Sequence, residues 1–268
     1  MKPTPKALVI RTAGTNCDAE MCRGFELAGA SVSLLHLDEL AAAPRKVDGF
    51  DLYGFPGGFS YGDDIASGRI FAAHIKQHLY PQLRAAAARG CPMIAACNGF
   101  QVLVQTGLLP GPSDGTWPLT PAPQETSLTH NSGARFIDRW VPVTFEPDSV
   151  CLWTKGLAEA IPAQHAADMS ILPIAHGEGR FVTATPEILA RLQASRQVAV
   201  RYNVDVNGST DRIAGICDPS GRIFGLMPHP ERYLEWLLHP GWTRLAPEIR
   251  TLQTPGMMMF RNAVAACQ

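Results

Sequence analysis

The chain has 268 residues, of which 46% are hydrophobic and 18% charged, and its formal net charge is -1. This is the balance of a folded water-soluble protein with ample length for a buried core, without the basic excess that favours nucleic acid or the acidic excess of a disordered tail. Eighteen apolar residues never run together, which argues against a membrane span. Seven cysteines, an odd number with no C-x-x-C pair, read as reduced thiols. The apolar run in "MKPTPKALVIRTAG" is too short for a signal peptide, so a cytoplasmic location is expected.

In chain order, "KALVI" (6–10) reads as a buried parallel strand followed by the loop "RTAGTN". Residues 18–29 have an Asp start, helical apolar spacing and a Gly stop, and predict a helix. "SVSLLHL" (31–37) is a second strand, and "GFDLYGFPGG" (49–58) is a third that ends in a glycine turn. A helix is expected over 71–90, interrupted at Pro81 and closed by Gly90. "PMIAA" (92–96) is the next strand and "FQVLVQTGLL" (100–109) the next helix.

Residues 110–123 are rich in Pro and Gly and form a connector, not a domain boundary, so residues 1–268 read as one domain. Segments 135–146 and 197–208 alternate like strands with one exposed face, and 215–232 reads as a hairpin with the turn "DPSG". Strands alternating with helices predict a three-layer α/β fold, flavodoxin-like, around a mainly parallel central sheet. Ligands in such sheets sit beyond the carboxyl ends of the strands, where "RTAGTN", "PGGFSYGDD" and "CNGF" should converge.

Cys97 follows a strand and precedes Gly99 and a helix, as in a nucleophile elbow. A helix N-terminus there favours thiolate, although a buried inert cysteine fits the stretch equally well. A thiol nucleophile needs a base, and "MPHPER" offers His229 with Glu231 two residues on. Flanking prolines suggest that this stretch stays extended, with both side chains on one side. The glycine pair Gly57-Gly58 would let a backbone N–H approach an oxyanion, and equally marks a plain turn. No phosphate loop and no G-x-G-x-x-G occurs. His74 and His78 lie at i, i+4 but lack the glutamate of a zinc motif, and Cys17 with Cys22 is a weak pair, so no metal is expected.

The order "PGG", "CNG", "HPE" resembles the class I (triad) glutamine amidotransferases. More closely, "FPGGFSYGDD", "ACNGFQVLVQTGLLPG", "NSGARF", "IAHGEGRF" and "GICDPSGRIFGLMPHPER" are similar to the glutaminase subunits of phosphoribosylformylglycinamidine synthases, over about Val9 to Arg232. The resemblance implies that Cys97 attacks the side-chain amide of glutamine, His229 moves the proton, and Glu231 orients His229. It implies an oxyanion hole from the N–H groups of Gly58 and Asn98. It also implies a glutamine pocket drawing on Gly57, Gln101, Asn131, Ser132, Arg135 and Phe136.

Ammonia would pass to a large synthetase subunit, with a small bridging subunit in the same complex. Glutaminase activity would then depend on docking, with "SYGDD" and "HGEGRF" as partner-facing loops. ATP and magnesium are expected on that partner and no cofactor in this chain, with no nucleic-acid or membrane partner. Two readings stand beside this one: another Cys-dependent α/β hydrolase such as a γ-glutamyl peptidase, and a non-catalytic partner subunit of the same fold. The family pattern has glycine two residues before the nucleophile, where this chain has Ala95, and residues 147–170 exceed a minimal member.

Overall fold

Strand β1 (Lys6–Arg11) alternates its side chains to opposite sides, and this sorts the whole interior. Ala7 and Val9 enter one apolar cluster with Met21, Phe25, Trp153 and Phe260, while Leu8 and Ile10 enter another with Phe71, Leu83, Val102 and Leu103. A sheet with apolar clusters on both faces is the middle layer of three, as expected from the strand–helix alternation. The computed structural model describes residues 3–268.

The other strands are β2 (Ser31–His36), β3 (Leu52–Phe55), β4 (Met93–Ala96), β5 (Thr126–Thr129), β6 (Ile137–Phe145), β7 (Ile171–His176), β8 (Arg180–Thr183), β9 (Val198–Tyr202), β10 (Ile213–Cys217) and β11 (Ile223–Leu226). Nine form one sheet in the order β2-β1-β3-β4-β11-β10-β9-β6-β7, and β5 pairs with β8 separately. The strands from β2 to β11 run parallel, and β10, β9, β6 and β7 continue the sheet antiparallel. The parallel block puts the ends of β3, β4 and β11 side by side, since Tyr53 pairs with Met93 and Ala96 with Leu226.

Helix α1 (Asp18–Leu27) opens with Asp18 and Glu20, whose charge suits a helix N-terminus, and Gly29 follows its end at φ +97°. It buries Phe25 edge-on against Phe260 of the C-terminal helix Pro255–Ala265, with ring centroids 5.1 Å apart. Burial of a phenylalanine of this kind contributes about 2–3 kcal/mol. Helix α2 (Leu37–Ala42) covers the opposite face.

The helix expected over 71–90 is three segments: α3 (Arg69–His74), a π-helical turn at Ile75–Leu79, and α4 (Tyr80–Ala88). Pro81 lies in the first turn of α4, where its missing N–H costs nothing, so the irregularity precedes it. His74 is half-buried and stacked on Tyr61 at 5.6 Å, not on an open helix face. The strand at 197–208 is confined to β9, and it is almost wholly buried because its side chains enter the apolar clusters of the sheet, Val198 in one and Val200 and Tyr202 in the other. Residues 147–170 hold only short helical turns, which cover one sheet face with Trp153 and Leu157.

Candidate active site

Helix α5 (Asn98–Thr106) starts directly on β4, and Cys97 is the residue between them. Its backbone has φ +50° and ψ -107°, a region that side-chain-bearing residues rarely occupy. Gly99 permits this sharp turn: a Cβ there would fall 2.0 Å from the Phe55 carbonyl oxygen of β3. The pattern's missing glycine at Ala95 is answered across the sheet. Ala95 pairs with Gly225 of β11, over which the Phe100 ring of α5 packs so closely that a Cβ would lie 2.2 Å from it.

The structure brings His229 and Glu231 to the same rim. His229 Nδ1 and Glu231 Oε1 are 2.7 Å apart, and the two residues are 2% and 1% exposed. They are not on an extended stretch: Pro230–Arg232 forms a short 3-10 turn that folds the carboxylate back toward the imidazole. The His229 backbone N–H donates to Pro173 O at 2.9 Å, and the Cys97 thiol donates to Ala175 O at 3.6 Å, so β7 holds both partners. Burial alone would push the His229 pKa down. The Glu231 carboxylate, with help from the Cys97 and Cys17 thiols, overrides this and holds it well above the usual value. An imidazolium flanked by two acidic groups is the arrangement that supports a thiolate nucleophile.

Gly57 lies against the imidazole, and a Cβ there would come within 2.5 Å of His229 Cε1. Gly58 adopts φ +142°, which favours glycine. Among the described residues neither the Gly58 nor the Asn98 N–H has a protein acceptor, which leaves both available to an oxyanion. The Asn98 and Gln101 side chains serve the rim itself. Asn98 Nδ2 donates to Gln101 Oε1 at 3.0 Å and to Asp63 Oδ1 at 3.3 Å, and Gln101 Nε2 donates to Glu178 O at 2.6 Å. These bonds tie the loops 57–64 and 176–180 to the first turn of α5.

Asn131 is similarly occupied: its Nδ2 donates to Arg135 O and His176 O, and its Oδ1 accepts from Gly179 N at 3.1 Å. Ser132, Arg135 and Phe136 are exposed, with Phe136 set against Phe59 at 6.1 Å. The structure therefore gives Gln101 and Asn131 loop-binding contacts and leaves Ser132 and Arg135 facing solvent.

Three further residues stand at the site, two of them unremarked in the sequence and Cys17 weighed there only as a weak metal pair with Cys22. Cys17 adjoins His229, and burial raises its pKa, an effect partly offset by the nearby imidazole. His176, bonded through Nδ1 to Asn131 Oδ1 at 3.1 Å, has its pKa pushed down to about 4 by burial and by the charge of His229. Tyr202 has a buried hydroxyl without a partner among the described residues, its pKa raised by burial and by Cys97. Only Cys17 left a trace, directly after the "RTAGTN" loop expected on this rim.

No helix of the described residues is long and apolar enough to cross a membrane. The chain matches the CobB/CobQ-like glutamine amidotransferase domain over residues 4–267. It is 39% identical over 272 residues to phosphoribosylformylglycinamidine synthase subunit PurQ of Dehalococcoides mccartyi, covering 97% of this chain and 96% of that one. The PurQ subunit of Methanococcus maripaludis is 37% identical, with 98% of each chain covered. A chain in the solved PurLQS structure from Thermotoga maritima aligns with TM-score 0.72 and 31% identity over 99% of this chain and all of that chain. A glutamine amidotransferase of Thermotoga maritima, 14% identical with TM-score 0.53, shares the fold.

Proposed function

The chain belongs to the CobB/CobQ-like glutamine amidotransferase family and is the glutaminase subunit of a phosphoribosylformylglycinamidine synthase in purine biosynthesis; from that premise we propose that Cys97, His229 and Glu231 hydrolyse glutamine. The observation that carries the assignment of roles is the buried 2.7 Å contact between His229 and Glu231 beside a cysteine at φ +50° on a helix N-terminus.

The Cys97 thiolate adds to the glutamine amide carbon, and the carbonyl oxygen takes the negative charge between the Gly58 and Asn98 N–H groups. The tetrahedral species collapses as the carbon–nitrogen bond breaks. His229 gives its proton to the leaving nitrogen, which departs as ammonia, and a γ-glutamyl thioester stays on Cys97. Neutral His229 then takes a proton from water, whose oxygen attacks the thioester. Glutamate leaves, and the thiolate and imidazolium return. Glu231 keeps the imidazole oriented and balances its charge through both steps. No cofactor enters this sequence, and ATP with magnesium would act on the synthetase subunit.

By analogy with the PurLQS assembly, we infer that the chain docks on a large synthetase subunit with a small third subunit, and that loops 60–64 and 176–181 face them. The test is labelling by the glutamine analogue diazo-oxo-norleucine, mapped by mass spectrometry with the synthetase present. One label per chain on Cys97 is expected. Label elsewhere, or none, overturns the mechanism. Release of ammonia from glutamine but not of amines from γ-glutamyl peptides separates this reading from a peptidase.

A further inference from the structure

The hydrolysis leaves one buried thiol at the site without a task. Cys17 is 1% exposed and stands directly before α1, with its N–H donating to Gly57 O at 3.2 Å. Its Sγ donates to Asn16 Oδ1 at 3.1 Å and lies 3.3 Å from the point where a Gly57 Cβ would be. That same point is 3.2 Å from His229 Nδ1, so the thiol and the imidazole converge on the space that Gly57 leaves free. One ligand atom each from Cys17, His229 and Glu231 lie within 4.8 Å of one another, and all three residues are buried. Two polar atoms in the cluster are unspent: Glu231 Oε2 and His229 Nε2 are buried without a hydrogen-bond partner among the described residues.

We propose that Cys17, His229 and Glu231 form a site for a thiophilic divalent transition-metal ion of the zinc type, and that the bound ion switches the glutaminase off. The second half rests on the reading of His229 as the proton carrier of the hydrolysis. Thiolate, imidazole and carboxylate together are zinc ligands, with bonds of about 2.0–2.3 Å, whereas magnesium and calcium take oxygen donors. Thiolate and carboxylate also cancel the charge of a divalent cation, which a buried site otherwise resists. As the ion binds, the Cys17 thiol proton and the proton on the coordinating His229 nitrogen both leave to solvent. Three protein ligands leave a fourth position for water.

Inhibition follows from either ring nitrogen. On Nε2 the ion takes the lone pair that must accept a proton from water. On Nδ1 it displaces the proton from the Glu231 contact, the neutral ring then carries its proton on Nε2, and the base is lost again. The sequence pairing of Cys17 with Cys22 pointed to no metal because the ligands lie more than two hundred residues away.

The experiment uses the full chain with its synthetase partner. Zinc affinity is read by competition with a chromophoric chelator, inhibition relative to each variant's own rate in EDTA, and ligand identity from the near-ultraviolet sulfur-to-metal band of the cobalt(II) form. One ion per chain is expected, with inhibition reversed by EDTA. Cys17→Ser and Cys17→Ala should weaken zinc binding by about tenfold or more, since even indirect metal partners cost that much. The cobalt band should persist in Cys97→Ala and vanish in Cys17→Ser. Equal zinc inhibition of wild type and Cys17→Ser, a band that follows Cys97, or no zinc binding overturns the proposal. A chain that binds cobalt through Cys17 yet never hydrolyses glutamine upholds the site and removes both its regulatory role and the hydrolytic reading.

Discussion

His229 and His176 are two buried imidazoles with opposite electrostatic fates, and each yields a measurement. At His229 the carboxylate outweighs burial. Glu231→Gln keeps a hydrogen-bond acceptor near Nδ1 and removes the charge, so kcat should fall by about 100-fold with little change in the KM for glutamine. At His176 burial wins, and its pKa sits near 4 against about 6.5 in an unfolded chain. The unfolded state therefore binds the proton first as pH falls. The stability tied to the neutral ring is whole above about pH 6.5 and is lost progressively toward pH 4, with about 2 kcal/mol gone between pH 7 and pH 5. Urea midpoints at those two pH values should show that loss in wild type and a flatter response in His176→Gln. Equal slopes would remove His176 as the cause. That Cys97, His229 and Glu231 would meet at one rim was legible because a nucleophile, a base and a carboxylate follow chemical rules that survive in one dimension. Cys17, His176 and Tyr202 were not, because their importance comes from three-dimensional contact with His229 and Cys97 alone.

The junction of β4 and α5 shows what elements contribute. Gly99 meets backbone of β3, whereas Gly225 meets the rings and methyls of Phe100 and Leu109. Both Gly99→Ala and Gly225→Ala should destabilise, by about 1–3 kcal/mol for overpacking. Gly99→Ala should be the worse, because a peptide carbonyl cannot rotate aside as a side chain can. Denaturant midpoints rank the two, and a reversed order would mean that α5 slides along β11 instead. Most elements could be read from the sequence, since apolar runs alternate with capped amphipathic stretches from β1 to α5. The failures have tertiary causes. Strand β9 looked half-exposed because alternation is local information, whereas residues distant in the chain pack on both of its faces. The π-helical turn at Ile75–Leu79 escaped notice because Pro81 is the louder signal, although it costs nothing where it stands.

At the scale of the whole molecule, the proposed catalytic groups are shut in: Cys97 is 5% exposed and His229 2%. The loops beside them are fastened to Asn98 and Gln101, and we expect glutamine to enter as these loops give way. A docked synthetase that holds those loops open should raise the rate of diazo-oxo-norleucine labelling by about tenfold or more, in proportion to the open population. Labelling rates with and without partner test this, and equal rates would mean that the site opens unaided. The closed rim also connects the parallel block, which carries Cys97, to the antiparallel block, whose β7 grips both Cys97 and His229. The backbone of Cys97 gives this architecture a thermodynamic signature. At φ +50° any residue with a Cβ holds about 1–3 kcal/mol of strain, more than the flexibility glycine adds to the unfolded chain. Cys97→Gly should thus unfold at higher urea than Cys97→Ala, by about 1 kcal/mol, with neither expected to hydrolyse glutamine. Selection for activity at this position is then selection against the most durable protein, and thermostable variants gathered without an activity screen should accumulate glycine at the nucleophile itself.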